Sequence, residues 1–256
     1  MRDIGNKLHI STIDENAHSL ALEHGLGVEC AAFCWAQYID DEREARLELA
    51  RADTAGIRNL WFHAPFAELA PCAIDPRVRS LTGERYLQAV ELATALGISR
   101  LVIHGGYIPY VYYPEHYVSE SAAFWRSFLR DVPPHIHIAL ENVMEPDPTM
   151  LVEIAQRVDD PRLGLCLDIG HANCETSKEK PLDWIGPMAP YLKHLHLHDN
   201  CGGRDLHLPL GQGNIPVESI IERVTELCPD ATFTIENMNA APSVRWLAEK
   251  GFLHDG

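Results

Sequence analysis

Eight short apolar, β-like runs alternate with eight helical patterns along this chain, and that alternation most constrains what it can fold into. The strand candidates are 7–11, 27–33, 59–63, 100–104, 135–141, 163–168, 193–198 and 232–236. The helical patterns between and after them are 14–24, 40–55, 76–96, 117–130, 147–157, 181–190, 216–227 and 241–250. Strands that alternate with helices are expected to run parallel, each joined to the next by a crossover helix. Eight such pairs in 256 residues match the roughly 250 typical of a closed barrel. The expected fold is therefore α/β, a single (β/α)8 TIM barrel over 1–256. Local punctuation agrees: Asp75-Pro76 fits a helix N-cap with proline at the first helical position, and Gly25, Gly56 and Gly97 fit helix stops.

A barrel of this kind gathers the C-terminal ends of its strands on one face, where its chemistry occurs. Nine residues able to bind metal fall in order at or just beyond such ends: His63, His104, Glu141, Asp168, His171, His196, Asp205, His207 and Glu236. The tract LGLCLDIGHANC (163–174) runs through an apolar strand to Asp168, with His171 three residues later. A carboxylate at the rim and an imidazole on the turn above it can bind one metal or two adjacent ones. In HLHLHDN (194–200), His194, His196 and His198 share one face of a strand because side chains alternate with period two. His196 is the expected ligand there, and His194, deeper, is expected to support it. In RDLHLPLGQGNIP (204–216), Asp205 and His207 stand two apart in an extended loop and can reach one ion.

Taken singly, each of these is as readily a hydrogen-bonded polar residue of the rim. Together they are different, because burying so many carboxylates and imidazoles without cations is very unfavourable. A mixture of imidazole nitrogen and carboxylate oxygen without thiolate suits Zn, Mn, Fe or Co better than Ca. The expected cofactor is a divalent metal, Zn or Mn, at one to three ions per chain.

Composition narrows the partners. A formal charge of −16, with lysine only at Lys7, Lys178, Lys180, Lys193 and Lys250, opposes broad binding to nucleic acid phosphates. The seven cysteines are odd in number and include no C-x-x-C, which opposes a disulfide framework or a four-cysteine zinc site. The N-terminal MRDIGNKLHIS carries no apolar stretch of signal-peptide length, and no run approaches the roughly 18 apolar residues of a membrane span. The chain reads as soluble and cytoplasmic. The loop GGYIPYVYYPEHY (105–117), rich in tyrosine, leaves the strand end bearing His104; it is either a packed surface loop or an aromatic wall over a ligand.

On these residues the sequence resembles the xylose isomerase-like TIM-barrel superfamily, which includes sugar isomerases and epimerases, inosose-type dehydratases and the endonuclease IV family. The resemblance implies that His63, His104 and Glu141 hold one metal, and that Glu141 bridges to a second held by Asp168, His196 and Glu236. His171, Asp205 and His207 would hold a third. In the isomerase and epimerase branch it implies one metal on Glu141, Asp168, His196 and Glu236, with Glu141 and Glu236 moving protons and His171 contacting substrate. Arg204, Tyr107 and His198 are the further candidates for touching substrate, Arg204 for an anionic group. The loop after the second strand, CWAQYIDDE, is acidic, and that after the third, AELAPCAID, has no basic residue until Arg77 and Arg79, whereas a DNA-binding member would carry arginine in such loops. The first expectation is thus an isomerase, epimerase or dehydratase acting on a small sugar, polyol or sugar phosphate. The alternative is a multi-zinc phosphoester hydrolase of endonuclease IV type, and the third is a non-catalytic binding protein.

Overall fold

In a computed structural model, which describes residues 3–253, the strands close into one parallel barrel in chain order. They are β1 (Leu8–Ser11), β2 (Gly27–Cys30), β3 (Leu60–His63), β4 (Arg100–His104), β5 (His137–Glu141), β6 (Leu163–Asp168), β7 (Leu192–Leu197) and β8 (Thr232–Ile235), and β8 pairs back onto β1. The helices outside are α1 (Ala17–His24), α2 (Gln37–Asp40), α3 (Arg43–Asp53), α4 (Pro76–Ala95), α5 (Pro114–Asp131), α6 (Thr149–Val158), α7 (Pro181–Met188), α8 (Val217–Leu227) and α9 (Ala241–Glu249). No helix among the described residues is long and apolar enough to cross a membrane.

Strand parity divides the residues between two environments. Leu101, Ile103, Leu140, Leu165, Leu167, Leu195 and Phe233 face outward into the core between sheet and helices. The alternate positions face the barrel interior, where Trp61, Val102, Ala139 and Cys166 form a small apolar plug. Above the plug the interior turns polar.

Several boundaries differ from the sequence reading by a few residues, such as β2 ending at Cys30 rather than 33 and β5 starting at His137 rather than 135, and two differ for clear local reasons. The helix expected at 40–55 begins only at Arg43, as α3, and a separate short turn, α2, precedes it across Asp41 and Glu42. The tyrosine-rich loop ends at Tyr113, because Pro114 opens α5 at the helix's first position, where its missing N–H costs nothing.

One irregularity sets the level of the site. Leu165 pairs with Leu192 but Cys166 pairs with His194, so β7 carries one extra residue, Lys193, which is exposed. A one-residue slip exchanges the two faces of a strand. Beyond the bulge, Asp168 stands beside His196 and His196 beside Thr234, all inside the barrel.

Candidate metal centre

The strand ends bring the nine expected donors into one cluster. Register places His104 beside Glu141 and Asp168 beside His196. Glu141 is central: its Oε2 lies 3.4 Å from His63 Nε2 and 3.3 Å from His104 Nε2. Its Oε1 lies 3.1 Å from His196 Nδ1, which is also 3.3 Å from Glu236 Oε2 and 3.7 Å from Asp168 Oδ2. His171 Nε2 lies 3.3 Å from Asp205 Oδ2, and His207 Nε2 lies 2.8 Å from the same oxygen.

Four sets of donor atoms fall within 4.8 Å of one another: His63, His104, Glu141; Glu141, Asp168, His196, Glu236; His198, Asp205, His207; and Glu29, His63, His196, Glu236. The first two are the groupings that the resemblance implied. In the third, His198 takes the place expected of His171, although His171 remains in contact with Asp205.

The hydrogen bonds around the cluster decide which ring nitrogen each imidazole offers. His63 Nδ1 lies 2.9 Å from Ala64 O, His171 Nδ1 2.9 Å from Asn142 O, and His207 Nδ1 2.7 Å from Glu236 O. A carbonyl only accepts, so each Nδ1 carries a proton and each Nε2 faces the carboxylates, donating to them when the ring is protonated and free to offer its lone pair to a cation when it is neutral. Metal-binding histidines are fixed in the same way by their outer partners.

His196 is held in the opposite sense by a residue that the sequence reading missed. Glu29, on β2 and fully buried, lies 3.1 Å from His196 Nε2, leaving Nδ1 to face Glu141 and Glu236. The same carboxylate accepts from His194 Nε2 at 3.0 Å and from the Thr234 hydroxyl at 2.7 Å. The signal was present as a lone carboxylate inside an apolar run, GVEC, on the parity that faces the interior.

The fit to a cation rests on what the donors lack. Glu141 Oε2 and His198 Nδ1 are buried with no hydrogen-bond partner, which natural proteins rarely tolerate unless something else satisfies the atom. The carboxylate–imidazole contacts of 3.1–3.7 Å around Glu141 are mostly long for hydrogen bonds. The protein's own charges partly fill the role. Burial opposes the shift, yet the charges of His196 and His104 hold the Glu141 carboxyl well below its usual range. Burial likewise opposes protonation of His171 and His196, and the surrounding anions raise both well above the ordinary value. His207 is raised to about 9, burial being outweighed by its bond to Asp205 and the charge of Glu236.

The loops around the cluster are anchored from below. The Asp199 carboxylate accepts from the backbone of Asn200, Gly211, Gly213 and Ile215 at 2.9–3.1 Å, pinning both ends of the segment that carries Asp205 and His207. Gly170 makes room for His198: a Cβ there would sit 1.9 Å from the ring. His198 lies behind Asp168, its Nε2 3.0 Å from both carboxylate oxygens, and stays outside the cavity that opens above the cluster.

That cavity measures about 810 Å³, and Glu141, Glu236, His171, Asp205 and Tyr107 all reach it. Arg204 is exposed and does not line it. Cys174 and Cys201, also outside its lining, are free thiols.

Comparison with known proteins adds the family. A family model described as xylose isomerase-like TIM barrel matches residues 20–251. An uncharacterized protein of Methanocaldococcus jannaschii is 35% identical over 194 residues, covering 72% of this chain and 66% of that protein, just under two thirds of its length. A probable endonuclease 4 of Mycobacterium leprae is 24% identical over 176 residues, covering 64% of this chain and 68% of that protein. Among solved structures, a D-tagatose 3-epimerase-like protein has a TM-score of 0.76 at 28% identity and covers 96% of each chain. A Thermus thermophilus protein, solved after soaking with zinc chloride, has a TM-score of 0.72 at 25% identity, covering 95% of this chain and 97% of that one.

Proposed function

The chain belongs to the xylose isomerase-like TIM-barrel family, and from that premise we propose that it is a divalent-metal-dependent isomerase or epimerase, or a related dehydratase. Its substrate is a small hydroxy-carbonyl compound of the sugar or polyol class, and Glu141 and Glu236 move the proton. The observation that carries this reading is the buried set Glu141, Asp168, His196 and Glu236, whose donor atoms converge within 4.8 Å at the floor of a cavity open to a ligand. The likeness to a D-tagatose 3-epimerase-like protein supports the same reaction class.

These four residues would hold one ion, and a divalent cation bound there polarises a carbonyl and its neighbouring hydroxyl. The chain supplies the remaining parts. Glu141 reaches the site from β5 and Glu236 from just beyond β8, so the two carboxylates stand on separate sectors of the rim. One takes the proton from the carbon beside the carbonyl, and the electron pair moves onto the carbonyl oxygen. The other returns a proton, to the opposite face of the same carbon for epimerisation, or to the former carbonyl carbon for isomerisation, in which case the neighbouring hydroxyl proton passes to the former carbonyl oxygen and the new carbonyl forms at the carbon first deprotonated. No electron is gained or lost overall. Asn142 fixes the base of the site by accepting from the Asp168 N–H at 2.8 Å and donating to the Asp168 carbonyl at 3.0 Å.

A second reading, a multi-zinc phosphoester hydrolase of endonuclease IV type, is favoured by the three further donor sets and by the match to a probable endonuclease 4. One experiment separates the two. Protein loaded with Mn or Zn is incubated in D2O with a panel of ketoses and inososes, and in parallel with bis(p-nitrophenyl) phosphate. Proton transfer predicts deuterium at a carbon next to the carbonyl. Release of p-nitrophenolate without any carbon exchange would move the assignment to the hydrolase.

A further inference from the structure

We infer that the natural substrate is uncharged and carries an apolar group beyond its two metal-facing oxygens, and that it is not a phosphorylated sugar. The inference rests on the proton-transfer reading above and concerns the other end of the same cavity. Two independent observations carry it.

The first is charge. Among the described residues lining the cavity there is no lysine and no arginine, while Glu68, Glu141, Asp205 and Glu236 all line it. One divalent cation offsets two of these four carboxylates, and the other groups in the lining able to carry positive charge, His63, His104, His171 and His207, each already face Glu141 or Asp205. A phosphate or sugar acid is usually met by arginine, lysine or a run of backbone N–H groups. Arg204, the nearest candidate in sequence, points to solvent outside the lining.

The second is the wall. Trp35, Ile108, Met144, Leu206 and Met238 come from the loops after β2, β4, β5, β7 and β8, and all line the cavity. Each is nonetheless substantially exposed, from 41% for Met144 to 73% for Met238. Solvent-facing apolar side chains scattered singly need no explanation, but several converging on one concavity mark a surface that binds an apolar partner. Deeper in, Phe66 and Leu69 continue the same surface toward His104, on whose ring Phe66 stacks at 4.5 Å. A hexose with a hydroxyl on every carbon would leave this wall bare, whereas an alkyl or aryl substituent would cover it.

The test uses three probes that share one hydroxyketone: dihydroxyacetone, dihydroxyacetone phosphate and 2-hydroxyacetophenone. Their binding to Mn-loaded protein is measured by calorimetry, and carbon-bound deuterium uptake is followed separately by NMR. Burial of the aryl ring is expected to make 2-hydroxyacetophenone bind at least about tenfold tighter than either other probe. In Trp35→Ala that preference should shrink to within about threefold. Tighter binding of the phosphate would overturn the inference, as would equal binding of all three. Equal binding together with a dimer in solution would assign the apolar rim to a second copy of the chain. Tight aryl binding without deuterium uptake would keep the substrate class and sink the proton-transfer reading instead.

Discussion

Two polar layers lie one above the other inside this barrel, built from the same side-chain types, and they are satisfied in opposite ways. The lower layer mostly closes on itself, although His9 Nε2 is left without a partner and Glu29 Oε1 turns up toward His196. Trp61 Nε1 donates to the Thr232 hydroxyl at 3.0 Å, which donates to His194 Nδ1 at 2.6 Å, and His194 Nε2 donates to Glu29 at 3.0 Å. The chain balances with a neutral imidazole, and burial lowers His194 to about 3 and His9 to about 4. The upper layer does not close. Each imidazole commits one N–H to a backbone carbonyl or to Glu29, and the surrounding anions hold a further proton on His171, His196 and His207 despite burial, so this layer is balanced only by extra protons or by a cation. Histidine and glutamate in a barrel are thus no signature by themselves. What distinguishes a metal centre from a structural network is whether the lone pairs find protons within the protein.

The largest expected effect is at the centre of the upper layer. Glu141→Gln removes the carboxylate shared by two donor sets and should weaken Zn or Mn binding by about a thousandfold or more, read by competition with a chelator. Retention of wild-type affinity would erase the distinction between the layers. Glu29→Gln comes next, since Glu29 joins the two layers by fixing His196. Loss of such an outer partner costs about 10–100-fold in metal affinity, and far-UV circular dichroism should show the fold unchanged.

Thr232→Val breaks only the lower network. It should lower stability by about 1–3 kcal/mol through an unmet buried partner, measured by urea denaturation, with metal content unaltered. Loss of metal in this variant would show that the layers are not separate.

Smaller effects follow from pH. His207 is raised in the folded chain, so its stabilising contribution is complete below the ordinary 6.5 and lost as pH rises through about 9. Chelator-treated protein should therefore lose melting temperature across that window, and metal-loaded protein should not, because the ion replaces the proton. His9 and His194 are lowered, so their contribution is present above 6.5 and declines as pH falls toward about 4 and 3. That acid limb should be the same with and without metal. The smallest effect is expected for Arg204→Ala: a change within about twofold in kcat/KM for an uncharged substrate, as for an exposed group outside the site. A tenfold loss would restore Arg204 as an anion-binding residue.

The fold was legible because each strand ends an apolar run and each helix fills the interval to the next, a period that few architectures share. The donors were legible for the same reason, since strand ends in a parallel barrel must lie on one face. Glu29 escaped because it sits in mid-strand, where sequence alone does not show how deep a position lies; its depth follows from strand stagger around the ring. His198 was expected against the substrate, yet it follows the parity of His194 and His196 and turns inward behind Asp168 into the space that Gly170 leaves. The length of the tyrosine loop was overestimated because Pro114, read as a loop residue, starts a helix. The apolar wall was least visible of all, since its residues come from five loops far apart in sequence.

The most direct test of the account is the metal content of the purified chain after equilibrium dialysis against Zn or Mn, set beside that of Glu141→Gln. The account predicts at least one tightly held divalent ion per wild-type chain and its loss in a variant that still folds. A wild-type chain that retains no ion, with the upper layer folded and its melting temperature indifferent to chelator, would contradict it.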